Sequence, residues 1–219
     1  MIFYWHGFVK RIIRYYSLFT NIFFMSINLI EKVPANLHYP PLQKIDPNTQ
    51  EVVVDDKTPS EHRFSQAAVP AILTALYKYS TTDIGAENIL RGNISTDWVN
   101  AILADTEEEV IGKVASYSFQ PGDVVRSRLD DIAGEAVKEI RENIKPDAKM
   151  MDVKNYMATQ IKTILLYLPE ALHMGDVVKD TTVDDNTNKM EGPISSLMHK
   201  IGSAFTKPAS EAEVNSKPS

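Results

Sequence analysis

The residue types best suited to catalysis or metal binding are few and scattered in this sequence. Cysteine is absent, which excludes disulfides, thiolate metal sites and a cysteine nucleophile. No two histidines are four residues apart, so a zinc site on one helix has no support. Phosphate loops, dinucleotide-binding glycine patterns and nucleophile elbows are also missing. We therefore expect a protein that is not an enzyme and binds no cofactor. The histidines are His6, His38, His62, His173 and His199.

The clearest cluster of oxygen ligands is the run DDNTN at residues 184–188. Asp184, Asn186 and Asn188 alternate as the first ligands of a calcium-binding loop do. The sixth position, however, is Lys189 instead of glycine, and the twelfth is Ser195 instead of glutamate. The sharp turn and the bidentate ligand are both missing, so this run is interpreted as a solvated linker and no metal site is predicted.

Two other groups of carboxylates have ordinary structural explanations. Glu107, Glu108 and Glu109 fall in the first turn of a predicted helix, where acids interact favourably with the helix dipole. Asp130 follows Arg126 by four residues, the spacing of an ion pair on one helix face. Neither pattern predicts two carboxylates that converge on a substrate.

Start and stop signals divide the middle of the chain into short helices. Thr58, Pro59 and Glu61 predict the cap, first position and capping box of a helix that runs to about Tyr79. Pro70 lies inside this helix and predicts a kink. Further helices are predicted from Asp83 to Arg91 with Gly92 as the stop, from a cap at Ser95 or Thr96, from Thr106 with Glu109 closing a second capping box, from Pro121 to about Asn143, and from Pro146.

Apolar residues recur at helical spacing through this region, which predicts the buried face of each helix. The sequence shows no β pattern, so we expect an all-α fold, an irregular bundle of about six to seven short helices. The predicted stripes are Phe64, Ala68, Ala71, Ile72, Ala75, Leu76 and Tyr79; Val125, Leu129, Ile132, Ala133, Ala136, Val137 and Ile140; and Met150, Val153, Met157, Ile161, Ile164 and Leu168.

Residues 1–24 are the most aromatic part of the chain and have an unusual composition. They contain nine of its 19 aromatic residues and three basic residues, but no acid, alanine or proline. Polar residues interrupt the apolar run, which is too short to span a bilayer. We favour a native start at Met25; an interfacial helix and a segment docked on the core remain alternatives. A membrane contact is expected only if residues 1–24 are translated.

Two segments are interpreted as linkers: residues 39–57, which three prolines interrupt, and residues 179–191, which are polar and without periodicity. The second precedes a predicted amphipathic helix, which begins at Pro193 and is followed by a disordered tail. Its apolar stripe can fold back on the core, pair with another copy, or dock in the groove of a partner. The stripe is the predicted partner-binding site, and its residues are Ile194, Leu197, Met198, Ile201 and Phe205.

The charge of the chain bears on its partners. The formal net charge is −6, and beyond residue 24 there are 20 basic and 29 acidic side chains. An acidic body repels phosphate backbones, so nucleic-acid binding is not favoured. A helix-turn-helix within residues 96–143, with outward Arg126, Arg128, Lys138 and Arg141, is the alternative hypothesis and predicts a DNA-binding regulator.

Residues 67–90, AAVPAILTALYKYSTTDIGAENIL, resemble the proline-containing, alanine-rich helix of the YidB-like bacterial family. The resemblance implies a helical, homeodomain-like fold in a bacterial protein, with no known catalytic residues and no named substrate. The glycine-rich stretches common in that family are missing from this chain.

The sequence thus predicts a helical protein-interaction or self-association module. We expect the C-terminal helix and the face around Pro70 to make its contacts, with a protein partner or a second copy. A cytoplasmic location is expected because there is no disulfide or export signal. The predicted organisation is an N-terminal extension (1–24), a short helix and linker (25–57), a helical core domain (58–178), and a linker, amphipathic helix and tail (179–219).

Overall fold

The computed structural model describes residues 27–53, 55, 57–92 and 97–177, and the regular elements within these ranges are all helical. This confirms the all-α class. Three short 3₁₀ turns, at Ala104–Thr106, Leu165–Tyr167 and Glu170–Leu172, supplement the α-helices. The α-helices are α1 (Leu29–Asn36), α2 (Ser60–Ser80), α3 (Asp83–Arg91), α4 (Trp98–Leu103), α5 (Glu107–Ser118), α6 (Gly122–Asn143), α7 (Met150–Ile164) and α8 (Met174–Val177).

Helix α2 forms the centre of the bundle and is buried on all sides through its middle. Every residue from Phe64 to Leu76 is buried. Helices α1, α5, α6 and α7 surround it, and its alanines allow them to approach closely. Pro70 lies within the continuous helix, buried in the interior of the protein. The prediction that the face around Pro70 binds a partner is therefore wrong.

The stripes predicted for α6 and α7 are largely confirmed. All seven residues predicted on α6 are buried, from Val125 to Ile140. On the second stripe, Val153, Met157, Ile161, Ile164 and Leu168 are also buried. Met150 is the exception, with 39% of its surface exposed, because α7 begins at this residue and its first turn does not share the burial of the later turns.

Both predicted capping boxes on α2 and α5 are wrong. The hydroxyl of Thr58 donates to Asp55 Oδ1 (3.0 Å) and does not cap α2, which begins at Ser60. The hydroxyl of Thr106 donates backwards to the carbonyl of Leu103 (2.7 Å) and does not cap α5. In both cases the threonine closes a preceding turn, which is the competing local use of a short hydroxyl side chain.

The starts of α4 and α7 also differ from the predictions. Asp97 caps α4 by accepting from the backbone N–H of Asn100 (3.0 Å), one residue after the predicted cap. Helix α7 begins at Met150 instead of near Pro146, and the N–H of Lys149 donates to Asp152 Oδ2 (2.8 Å). Helix α3 matches its predicted bounds, and Gly92 ends it with a φ of 63°.

The segment 39–53 contains no helix or strand in the described structure, yet it packs on the bundle. Ile45 and Val52 are buried, and the N–H of Ile45 donates to the carbonyl of Leu166 (2.9 Å). The side-chain amide of Gln66 on α2 accepts from the N–H of Gln43 (2.8 Å) and donates to its carbonyl (3.0 Å). A buried glutamine therefore satisfies the backbone of a segment that has no strand partner.

Helix α1 also packs on the bundle, against α2, α6 and α7. Leu29, Ile30 and Val33 are fully or almost fully buried, and the N–H of Leu29 donates to Gln160 Oε1 on α7 (3.0 Å). The hydrophobic interior thus extends beyond residues 58–178. None of the helices within the described ranges is both long enough and apolar enough to cross a bilayer.

Candidate functional site

Phe119 is the most unusual exposed residue of the described structure. It follows the last turn of α5 in the left-handed conformation, with a φ of 56°, and 75% of its surface is exposed. A left-handed non-glycine residue costs about 1–2 kcal/mol. Because glycine would avoid this cost and most of the aromatic ring stays exposed, Phe119 marks a candidate contact point.

Arg63 on α2 lies against this aromatic ring. Its guanidinium carbon is 5.0 Å from the ring centroid of Phe119, a cation–π distance. Its nitrogens donate to the backbone carbonyls of Asp55 (2.5 Å) and Thr58 (3.3 Å). These acceptors are neutral, so they position the guanidinium without cancelling its charge. A positive group therefore lies beside the ring of Phe119.

Two exposed valines and two exposed aspartates lie close to this pair along the chain. Val53 lies two residues before Asp55, the backbone partner of Arg63, and Val124 lies in the first turn of α6, which begins three residues after Phe119. Asp55 and Asp123 adjoin the valines. We define the Phe119 surface as Val53, Asp55, Arg63, Phe119, Asp123 and Val124. It combines apolar side chains with charges of both signs.

A second candidate feature is a shallow groove along the outside of α5, with a cavity volume of about 560 Å³. Gly112 contributes no side chain, and a Cβ placed there would meet nothing within 4 Å. Ser116 lies one helical turn later, so small residues form the base of the groove. We define the α5 groove by its lining residues Glu108, Glu109, Gly112, Lys113, Ser116, Tyr117 and Ala171.

Tyr117, in the wall of the α5 groove, has an unusual electrostatic environment. Burial, reinforced by the negative charge of Glu51 and opposed by Arg63, raises its pKa to about 12. Its hydroxyl is buried and has no hydrogen-bond partner in the described structure. Such a group carries a desolvation penalty of about 1–3 kcal/mol, which a suitable acceptor would relieve.

Burial also raises the pKa of Glu51, the neighbour of Tyr117. The N–H of Ala171, which donates to Glu51 Oε1 (2.7 Å), opposes this shift. Glu170 raises the pKa further and His173 lowers it. Gln50, beside Glu51, is itself buried, with a side-chain oxygen that lacks a partner. This cluster joins the 39–53 segment to the turn at Glu170–Leu172, beneath one edge of the α5 groove.

A further exposed apolar group lies at the α3–α7 contact. Lys154 on α7 pairs with Asp83 at the start of α3 (2.6 Å) and lowers the pKa of that carboxyl. Ile84, Met150 and Met151 are exposed in the helical turns beside this ion pair. Unlike the Phe119 surface, this group shows no positive φ among its residues.

All four basic residues predicted to face outward on α6 contact other groups of the protein, although Lys138 and Arg141 are exposed as predicted. Arg128 is mostly buried, pairs with Glu61, and lies over the rings of Phe64 (3.7 Å) and Tyr39 (5.0 Å). Lys138 pairs with Glu135 (3.1 Å), and Arg141 donates to the carbonyl of Leu90 (3.2 Å). The outward orientation predicted for Arg128 is wrong, because its guanidinium neutralises a carboxylate across two helices.

The predicted ion pair between Arg126 and Asp130 is also absent. Arg126 instead bridges Asp97 (2.5 Å) and Glu107 (2.7 Å). The pKa of Asp97 is lowered, first by the N–H of Asn100 and then by the guanidinium of Arg126. Asp130 accepts from the N–H groups of Trp98 (2.7 Å) and Val99 (3.1 Å). It therefore caps α4 from another helix, a use that local spacing along the chain does not reveal.

Two carboxylates do converge in the structure, contrary to the sequence-based expectation. Glu135 and Glu139 on α6 each accept from the side-chain nitrogen of Asn36, at 2.6 Å. Glu139 is buried, and its charge adds to the burial that raises the pKa of Tyr156 to about 12. Because the amide of Asn36 lies between the two acids, the pair fixes the end of α1 to α6. In the sequence, the spacing of these two glutamates, four residues apart beside the apolar stripe of α6, was the only feature that could have predicted their convergence.

Several predicted functional residues lie outside the described residues. These include the partner-binding stripe of Ile194, Leu197, Met198, Ile201 and Phe205, the DDNTN run, and residues 1–24. The histidines that are described, His38, His62 and His173, are exposed. The described ranges contain no group of three potential metal-ligating side chains.

Comparison with known proteins identifies no relative of this chain. No protein-family model, curated protein or solved structure matches this chain. The functional argument therefore rests on the geometry of the chain itself, and the candidate sites are the Phe119 surface and the α5 groove.

Proposed function

We propose that this protein is a non-enzymatic helical module that self-associates, and that the Phe119 surface forms the contact between copies. The observation that carries the proposal is the strained, exposed aromatic ring held beside Arg63. Aromatic and arginine side chains dominate the binding energy of protein interfaces, and a ring with little rotamer freedom loses little entropy on contact.

The charges of the Phe119 surface favour a second copy as its occupant. The guanidinium of Arg63 lies against the ring of Phe119 and donates to the backbone carbonyl of Asp55. Asp123, which is exposed, follows Phe119 by four residues. In a two-fold contact, the same patch meets itself, so a patch with both signs of charge is self-complementary. Arg63 of each copy would face an aspartate of its partner around a centre of Phe119 and valine side chains.

Phe119→Asn tests this proposal, since asparagine tolerates a positive φ and removes the ring. Sedimentation of the full chain over a range of concentrations should show a dimer. The variant should raise its dissociation constant at least about tenfold, as expected for an aromatic anchor. Ile84→Asn is the matched control, because it removes an apolar side chain that is equally exposed, elsewhere on the molecule. It should leave the dissociation constant unchanged.

A charge exchange provides a second, independent test. Arg63→Glu should weaken the dimer, and combining it with Asp123→Arg should restore part of the affinity if these groups face each other between copies. A wild-type protein that stays monomeric at every concentration would contradict self-association. Equal weakening by Phe119→Asn and Ile84→Asn would show that the Phe119 surface is not the contact.

The DNA-binding alternative is less favoured, because Arg128 is mostly buried and Arg126 bridges two carboxylates. Lys138 and Arg141 are exposed, as that alternative predicts, although each also contacts an acidic or carbonyl group of the protein. It stays a prediction that a gel shift at low salt tests, since low salt strengthens phosphate contacts. The YidB-like resemblance, the bacterial origin and the cytoplasmic location also stay predictions.

A further inference from the structure

We infer that the α5 groove is the docking site of residues 192–205 of the same chain. This inference concerns a surface different from the Phe119 surface, so it does not depend on self-association. The groove and the segment match in charge, in shape and in their distance along the chain.

The segment has the charge that the groove attracts. Between Gly192 and Thr206 the sequence contains Lys200 and no acidic residue, and Lys207 follows. The groove presents Glu108 and Glu109, of which Glu109 is paired with Lys113 (2.8 Å), so it has a net negative charge. Of the two other grooves described, one contains Lys78 and Asp105, whose charges balance. The other contains Glu31 and has the same net charge as the α5 groove, so charge disfavours only the first.

The shape of the α5 groove suits a helix that carries an apolar stripe. It is larger than the other two grooves, with about 560 Å³ against about 310 and 330 Å³. Gly112 and Ser116 lie on one face of α5, and small residues at this spacing let a second helix approach closely. Ile194, Leu197, Ile201 and Phe205 would cover this face.

The covalent connection favours binding within one molecule. Helix α8, which ends at Val177, packs against both α2 and α5, so the described chain ends next to the helix that forms the α5 groove. Val177 itself lines the smaller groove that contains Lys78 and Asp105, so the chain end is within reach of both. Residues 178–191 then precede the segment. A polar connection of this length has a root-mean-square span of roughly 20 Å, close to the ~18 Å length of α5. Such a tether raises the effective concentration of the segment to the millimolar range.

The lack of cysteine allows a direct test by disulfide trapping in the full chain. Cysteines placed at Gly112 or Ser116 are paired, one at a time, with a cysteine at Leu197 or Met198. Under mild oxidation, at least one pair should form an intramolecular bond at least about tenfold faster than the control pair of Lys145→Cys with Leu197→Cys. Lys145 is exposed and lies beyond the far end of α6, a helix about 33 Å long.

Charge reversal makes the test specific for the proposed pairing. Lys200→Glu should slow trapping, and Glu108→Lys in the same chain should restore it. Trapping should persist in the Phe119→Asn variant, which separates this result from self-association. Equal rates at groove and control positions would overturn the inference. A product of twice the chain mass would also overturn it, because the occupant would then come from a second copy.

Discussion

Glu51 shows how burial and hydrogen bonding oppose each other at a single residue. Burial raises its pKa above the ordinary value, although the N–H of Ala171 stabilises the ionised form. The folded protein therefore binds a proton at this site more tightly than the unfolded chain does. By linkage, the contribution of this carboxyl to stability is greatest below its unfolded pKa and is lost as the pH rises through its folded pKa.

Glu51→Gln should accordingly increase stability at neutral pH. Glutamine keeps an oxygen for the N–H of Ala171 but has no charge to desolvate. The difference between the variant and the wild type should grow as the pH rises from about 4.5 and stay constant above the folded pKa. Melting temperatures across this range measure it. A difference that shrinks with rising pH would show that the ionised carboxylate is stabilising.

Asp130 acts at the scale of the elements, because it connects α6 to the start of α4. Asp130 accepts hydrogen bonds from two backbone N–H groups, and both belong to the first turn of α4, a helix of six residues. So short a helix has little stability of its own, and capping from a neighbouring helix compensates for this. Asp97 contributes the local cap, and Arg126 connects it to Glu107 on α5.

Asp130→Ala should lower the free energy of unfolding by about 1–2 kcal/mol, the typical cost of a lost cap. Asp131→Ala is the matched control, since Asp131 is exposed on the same helix, and its substitution should change stability by less than about 0.5 kcal/mol. Denaturant titrations of both variants give the comparison. Similar losses in both would show that the helix charge, and not the capping contact, is responsible.

At the scale of the whole molecule, α2 determines the stability of the bundle. Its middle residues contact helices from both ends of the described chain, so a cavity there weakens several packing interfaces at once. Leu73→Ala should cost about 2–5 kcal/mol, while Ile84→Ala, at an exposed position, should cost less than about 0.5 kcal/mol. Thermal unfolding followed by circular dichroism measures both. A small effect of Leu73→Ala would mean that the core collapses around the deleted side chain.

Much of the fold could be predicted from the sequence. The all-α class, the bounds of α3 and the buried stripe of α6 follow from residue spacing and from Gly92, because each depends on contacts within one or two turns. The cap of α4 and the ion pairs of Arg126 and Arg128 could not be predicted. Their partners lie on other helices, and sequence spacing does not say which helices meet. The predicted stripe from Ile194 to Phe205 lies outside the described residues and stays a prediction.

By itself, the sequence determined what this chain is built from: helices, an acidic surface and no cysteine chemistry. Only the tertiary structure decided where its polar groups act. It buried Pro70 and its neighbours inside the bundle, placed Asn36 between Glu135 and Glu139, and left Phe119 exposed in a left-handed conformation. The physical reason is that periodicity specifies which face of a helix is apolar, whereas the identity of the opposing helix depends on packing among all of them.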